Sequence, residues 1–390
     1  MTILYVLIST DPFAGSSKSF MVLLKGVLHA GIKAVVVVPD KEGIYNTIKE
    51  MGVKVIVQNY KSCTWTDAKT LKHTLFYIPR QFGRLVVNFF AYRNLTKQLA
   101  EMNFDIIHSN STITPLGRYI AQKRGIPHLY HIREYGDKDF GLRYFPTNRI
   151  FRKHLKEKRT YSACITSDIQ KHHGLADITS SRVIYNGITE NTTEGFLHQT
   201  DRSYFLYAGR IEPTKGLLKL IMAYCDYAKE ISSPLPLKVA GEAIDDAYMQ
   251  SIKDFISNNH LDKHIIFMGR VSNIPELYIA AKAIIIPSEH EGFGRCMPEA
   301  MSYGCISIGH DTGGTKEQFD NGLKYCGMEI GLRYTTKEEL VTSMLKVHKM
   351  PEKELDLIRQ NAFQCVSHLY TNKTYVDSVI DFYKYILKVS

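Results

Sequence analysis

No stretch of the 390-residue sequence approaches the ~20 consecutive apolar residues that a membrane-spanning helix needs. The first apolar run, Ile3–Ile8, has no basic segment before it and meets Asp11 too soon to read as a secretory leader. The seven cysteines form no C-x-x-C pair, and no histidine stands at a zinc-site spacing from them. They read as small buried residues of a reducing compartment. Short repeats and low-complexity tracts are absent, and 44% hydrophobic with 23% charged residues excludes disordered and fibrous classes. The expected location is the cytoplasm, at most peripheral on the inner face of a membrane. Acidic residues are scarce in the first part of the chain. Residues 1–160 carry 25 Lys and Arg against 11 Asp and Glu, whereas residues 161–390 carry 24 against 28. A basic half joined to a near-neutral half points to an anionic partner: nucleic acid, lipid headgroups or a phosphorylated substrate. A merely solvated basic face is the plain alternative.

What is present is alternation. Short apolar runs separated by helical periodicity give an α/β class with parallel sheets, and the length suits two domains. The first series of strands reads at Ile3–Ser9, Ala34–Val38, Lys54–Val57, Asp105–His108 and His128–His131. After the loop Thr10–Gly15, a helix runs from Ser16 to Ala30 and stops at Gly31. A second series reads at Tyr204–Ala208, Leu237–Ala240, Ile265–Met268, Ala283–Pro287 and Cys305–Gly309. The polar segment from Asn186 to Arg202 is the linker candidate. The expected domains are 1–190, 200–370 and a C-terminal helix, 371–390, that returns to the first domain. That helix places Val376, Val379, Ile380, Tyr383 and Leu387 on one face. Residues 76–93 mix aromatics with Arg80, Arg84 and Arg93, which suits an interfacial membrane patch, or else a helix with its apolar face in the core. The same mix could stack on single-stranded RNA, but no RNA-binding signature accompanies it and no nucleic-acid partner is expected.

Two clusters carry chemistry. In the first, Pro287-Ser-Glu-His-Glu291-Gly-Phe-Gly294-Arg-Cys-Met-Pro-Glu299, a strand ends and a glycine loop leads into a helix near Pro298. Gly292 and Gly294 let backbone amides approach an anion at the helix's positive end. Glu299, one turn in, could accept hydrogen bonds from a ribose diol, or simply favour the helix dipole. In the second cluster, Ala208-Gly-Arg210-Ile-Glu-Pro-Thr-Lys215-Gly216, two cations flank a turn at a strand's carboxyl end, where open α/β sheets bind ligands. A guanidinium fork and a mobile ammonium suit the oxygens of a diphosphate.

Together these residues resemble the retaining glycosyltransferases of the GT-B fold, family four. That family shows G-R-x-x-x-x-K-G, then E-x7-E around G-F-G, then G-G-x-x-E. Here they stand as Gly209 to Gly216, Glu291 to Glu299 and Gly313 to Glu317. Val183-Ile-Tyr-Asn-Gly187 and Phe267-Met-Gly-Arg270-Val271 also match, as does the first-domain glycine loop. The resemblance implies two doubly wound Rossmann-like domains facing across a cleft, the first for the acceptor and the second for the nucleotide sugar. It implies that Arg210 and Lys215 hold the donor diphosphate, Glu299 the ribose, and Glu291 the sugar hydroxyls. Gly292, Phe293 and Gly294 would contribute backbone amides, and Val271 belongs to the base-binding region. Gly15 matches the second glycine of the family's first loop, and Ala14 replaces the first. His131 matches the frequent cleft histidine, with Arg133 and Glu134 as acceptor-side candidates.

The expected reaction is retaining transfer from a nucleoside diphosphate sugar, UDP before GDP, to a saccharide or lipid-linked acceptor in cell-surface polysaccharide synthesis. Arg210, Lys215 and backbone amides would stabilise the charge of the departing diphosphate, so no metal and no cofactor are expected. Closure of the two domains would exclude water. An anionic membrane surface is the remaining candidate partner. The rivals are an epimerase or phosphorylase of the same fold, and a non-catalytic nucleotide-sugar or RNA binder.

Overall fold

The computed structural model describes residues 1–66, 77–190 and 202–390. They divide into two units, Met1–Gly187 with Asn372–Ser390, and Ile188–Thr371. The linker segment between Asn186 and Arg202 lies largely outside the described residues.

In the first unit the strands are β1 (Thr2–Val6), β2 (Lys33–Val38), β3 (Lys54–Val57), β4 (Thr64–Thr66), β5 (Ile106–Ser109), β6 (His128–Ile132), β7 (Leu142–Tyr144), β8 (Thr160–Cys164) and β9 (Ser181–Val183). Seven form a parallel sheet in the order β3-β2-β1-β5-β6-β8-β9, and β4 pairs antiparallel with β7. Side chains alternate across a strand, so β1 feeds both faces of the sheet. Ile3 and Tyr5 meet the helix Gly15–His29 through Phe20, Leu23 and Val27, and the final helix Asn372–Val389 through Tyr375, Val379, Phe382 and Tyr383. Leu4 and Val6 meet Leu95 and Leu99 near the end of the helix Tyr77–Gln98, and Ile120 of the helix Leu116–Arg124. Covering both faces is what makes the central strands read as unbroken apolar runs. Gly26 sits under Val376, whose methyls would lie 2.5 Å from a Cβ placed there. Its bare backbone lets the first and last helices close.

The second unit holds β10 (Tyr204–Ala208), β11 (Leu237–Ala240), β12 (Ile265–Gly269), β13 (Ala281–Ile286), β14 (Ile306–His310) and β15 (Leu332–Tyr334). All are parallel, in the order β12-β11-β10-β13-β14-β15. The chain builds outward from β10 to β12, then crosses to β13 on β10's other side. The carboxyl ends of β10 and β13 therefore border the point where strand order reverses, the place where such sheets take ligands.

Most strands fall within two residues of the expected bounds, and the differences have identifiable causes. β8 is buried along its whole length, yet Thr160 and Ser162 interrupt its apolar run in sequence. β9 and β15 are three-residue elements, too short for periodicity to register. The helix after the glycine loop starts at Cys296, with Pro298 third, and spans only six residues, Cys296–Met301. So short a helix adds little dipole for an anion. In the last helix, Tyr375, Phe382 and Ile386 fill the core, whereas Leu387 is exposed and Ile380 only packs at its margin. The aromatic–arginine stretch, apart from Phe76, which is outside the described residues, turns its apolar side outward: Phe82, Phe89 and Phe90 are exposed while Gln81 and Asn88 are buried.

Candidate functional site

The second unit brings its two clusters together at the reversal point. After β10, Glu212–Gly216 makes one 3-10 turn, and Gly216 takes φ +72 against the end of β13. A Cβ there would fall 2.4 Å from the Pro287 carbonyl oxygen, so this contact of loops requires glycine. The seated turn delivers Lys215 Nζ to Glu291 Oε1 at 2.7 Å. Burial opposes the charge on each partner. The nearby opposite charge outweighs it, holding Lys215 above the ordinary lysine range and Glu291 below the ordinary carboxylate range. Ser288 and Arg210 add to the depression of Glu291. The pair is therefore ionised throughout neutral pH.

Arg210 is half-exposed and lies 2.9 Å from Glu212, with its carbonyl accepting a hydrogen bond from the Tyr207 hydroxyl. Glu299 receives Arg295 on Oε1 at 3.1 Å and the Tyr278 hydroxyl on Oε2 at 3.3 Å. That orients the carboxylate while leaving part of it accessible. The loop between Glu291 and Glu299 is braced from behind. Gly294 has φ +75, Phe293 is buried edge-on against Tyr370, and Gln318 donates to the Phe293 carbonyl. The helix Gly313–Cys326 abuts the same loop. Gly314 donates to the Glu291 carbonyl at 2.7 Å, and a Cβ on it would meet Gly292 O and Phe293 Cα at 2.7 Å. Thus the glycine pair at 313–314 and the loop at 292–294 are two halves of one close contact. Val271 follows β12 and is half-buried, next to an Arg270–Glu242 ion pair of 2.5 Å.

In the first unit the expected residues separate. Gly15 opens the helix Gly15–His29, exposed, with no acidic residue in its first turn. His131 is fully buried. It stacks on His108, with Nδ1 3.3 Å from His108 Nε2; His108 reaches the Tyr383 hydroxyl at 2.5 Å, and Tyr383 reaches Tyr5 at 3.1 Å. Burial, with help from Arg133 and His108, holds His131 well below the ordinary histidine range, so it is neutral at pH 7. Its β6 strand is covered on both sides, which places the ring inside the polar link between sheet and last helix. Glu134 is also interior. Its Oε1 accepts from Ser111 Oγ at 2.8 Å, and from Thr112 N and Oγ1 at 3.0 and 2.6 Å. It braces the loop after β5.

Arg133 is the residue of this group that emerges. Its guanidinium donates to Asn110 Oδ1 at 3.0 and 3.2 Å, Asn186 Oδ1 at 2.7 Å and Tyr375 Oη at 3.1 Å. Asn110 in turn donates to the Ser16 carbonyl at 3.2 Å. All the named partners are neutral, so the guanidinium's charge is held beside the Gly15 loop by amides and a hydroxyl. Asn110 and Tyr375 are missing from the expectations above, and Asn186 stands there only within the Val183–Gly187 match and at the start of the linker, with no role of its own. Only the place of Asn110, directly after a strand, could have indicated it.

Residues 189–363, nearly the whole second unit, match the glycosyl transferases group 1. An Escherichia coli UDP-Gal:alpha-D-GlcNAc-diphosphoundecaprenol alpha-1,3-galactosyltransferase is 23% identical over 93% of this chain and 94% of its own. An uncharacterized glycosyltransferase of Methanocaldococcus jannaschii is 26% identical, covering 58% of this chain and 62% of its own length. The N-acetyl-alpha-D-glucosaminyl L-malate synthase of Bacillus anthracis is 23% identical over 47% of this chain and half of its own. The chain thus spans less than two thirds of these last two relatives. Among solved structures, Anabaena HepE in complex with UDP superposes with a TM-score of 0.76 at 18% identity, over 99% of this chain and all of that one. A Rickettsia africae glycosyltransferase gives 0.75 at 18% over 100% and 99%. These likenesses show the fold, GT-B with two Rossmann-like units.

Proposed function

We infer that this chain, with its group 1 glycosyltransferase domain over residues 189–363, is a retaining transferase of a sugar from a nucleoside diphosphate, UDP before GDP. The acceptor would be a saccharide or lipid-linked saccharide of cell-surface polysaccharide synthesis, on an anionic membrane surface. The observation that carries this inference is the Lys215–Glu291 pair beside Arg210, at the reversal point of the sheet. Anabaena HepE, the structural relative above, has been solved with UDP-glucose as well, which supports a nucleotide-sugar donor here.

Breaking the anomeric C–O bond puts negative charge on the departing diphosphate, and Lys215 and Arg210 are charged groups set to receive it. Glu291 keeps Lys215 ionised in its half-buried place and fixes its direction, and its carboxylate is the group we assign to the sugar hydroxyls. Glu299, oriented by Arg295 and Tyr278, takes the ribose diol. The acceptor hydroxyl attacks from the face the diphosphate leaves, passing its proton to the phosphate oxygen. On the first unit Arg133 takes the acceptor-side role, since His131 has no exposed ring atom. No step of this scheme needs a metal ion. Incubation with labelled UDP-sugars and an acceptor saccharide, with the product's anomeric configuration read by NMR, is the test. Release of UDP only with acceptor and with configuration kept is expected. Interconversion of the nucleotide sugar without acceptor would overturn the inference in favour of an epimerase.

A further inference from the structure

The helix Tyr77–Gln98 is inside out along its first three turns. Asn88 is buried and bound to the backbone of Lys61 through both its oxygen and its nitrogen, at 2.8 and 3.0 Å, and Gln81 is buried beside it. The outer stripe is Ile78, Phe82, Leu85 and Phe89, at helical spacing and 42–76% exposed, with Val86 and Phe90 alongside. A contiguous apolar face of this size on a folded surface marks a place of contact.

Beneath the stripe lies a cavity of about 790 Å³, within the size range of sites for small organic ligands. Leu85, Phe89, Tyr119, Phe145 and Phe151 supply apolar walls, so the same two side chains belong to the outer stripe and to the cavity. Three cations stand around it: Arg84, Arg118 and Lys123. Arg118 is neutralised by a two-pronged bond to Glu157 at 2.9 and 2.6 Å. Arg84 donates to the Thr64 carbonyl, and neither Arg84 nor Lys123 makes an ion pair among the described residues. Charge selects the occupant. The helix Tyr77–Gln98 contains no aspartate or glutamate and carries Arg80, Arg84, Arg93 and Lys97. An apolar face with cations and no acids suits anionic lipid, whereas a second copy of this chain would set the same cations against each other.

We propose that this cavity holds the hydrocarbon chain of one phosphate-bearing membrane lipid, with the outer stripe of the 77–98 helix lying in the bilayer surface. Arg84 and Lys123 meet the phosphate, and Leu85 and Phe89 form the threshold that the chain crosses. The site belongs to the first unit and is independent of the donor chemistry above.

The probe is a series of monoalkyl phosphates of eight, ten and twelve carbons, each titrated below its micelle concentration, beside inorganic phosphate and decyltrimethylammonium. Binding should tighten about fourfold per added methylene until the cavity is full, with none for phosphate alone and little for the cation. Leu85→Trp, which fills the entrance, should abolish the chain-length dependence at unchanged melting temperature. Arg84→Gln with Lys123→Gln should weaken every member of the series. In flotation, vesicles of phosphatidylglycerol and phosphatidylcholine should carry the protein, and Phe89→Gln should reduce recovery. Vesicle binding with a flat chain-length series would overturn the cavity as a lipid site, leaving surface adsorption alone. Binding of neither alkyl phosphates nor vesicles would overturn the whole proposal. So would a dimer that Phe89→Gln dissociates while lipid has no effect.

Discussion

The two units share one architecture and treat charge in opposite ways at their sheet ends. In the second, every cation of the site stands beside a carboxylate: Arg210 by Glu212, Lys215 by Glu291, Arg295 by Glu299. In the first, Arg133 is held by two asparagines and a tyrosine, and the titratable groups beneath it are neutral histidines stacked inside the sheet. Carboxylate pairing keeps a half-buried lysine charged and aimed, which suits a ligand arriving with several negative oxygens. Neutral holding leaves a guanidinium's charge uncompensated and fixed in place, which suits one anionic or hydroxyl-rich group. The same fold therefore offers one end for a changing charge and one for a standing charge.

Removing Lys215 is the strongest test of that contrast. Lys215→Ala should cost at least ~10²-fold in transfer rate, the scale of a lost charge-stabilising donor, and take from Glu291 its ion-pair partner at 2.7 Å. Near-normal turnover, measured by UDP release, would dissolve the role given to the pair. Next comes Glu299→Ala, which should weaken UDP and UDP-sugar alike by roughly tenfold, the worth of a hydrogen bond to a charged group. Glu291→Gln should reduce affinity for the intact sugar nucleotide more than for UDP. Calorimetry decides, and equal losses for both ligands in both variants would erase the assigned division. On the other unit, Arg133→Gln should lower transfer while UDP affinity holds. A parallel fall in UDP affinity would mean that the two ends do not divide the work.

The contrast also has a pH signature. Burial lowers His128 to about 3 and His173 to about 4, and puts His108 and His131 well below the usual range. Below the unfolded value of about 6.5, the unfolded chain binds protons these rings refuse. Stability of the first unit therefore falls as pH drops from there, by about 1.4 kcal/mol per pH unit for each group. Glu291 stays ionised until pH falls through its depressed folded value, so the second unit should hold in the window where the first weakens. Hydrogen exchange of peptides from each unit at pH 7 and 5 would show it, and uniform loss would break the contrast. The smallest expected effect is that of EDTA, which should leave transfer rates unchanged. Loss restored by manganese or magnesium would show that the cations of the second unit are insufficient.

Much of this was legible in sequence because the features are local. β10 and β11 were readable from apolar runs to the residue, and the turn and loop motifs of the second unit sit within single post-strand segments. Contacts between distant segments were not legible. The tie of Arg133 to Asn186 and Tyr375 joins residues 53 and 242 positions apart, and no spacing rule connects them. His131 carried the right residue type at a strand end, but its burial depends on Tyr375 and the last helix closing over that strand. The 77–98 helix was ambiguous for a physical reason. An apolar stripe shows that a face exists, and only the buried amides Gln81 and Asn88 reveal which side turns inward.

The last helix sets an order of events in synthesis. Its Tyr375, Val379, Phe382 and Tyr383 complete a core whose other members begin at Ile3, so the first unit's sheet emerges from the ribosome with one face only partly covered, by the helix Gly15–His29. The intervening segment Ile188–Thr371 has its own core and can fold meanwhile, as domains do during translation. The part of the molecule made first is thus finished after the part made second. A nascent chain stalled before residue 372 would present an apolar groove along Phe20, Leu23 and Val27 to whatever chaperone or protease meets it.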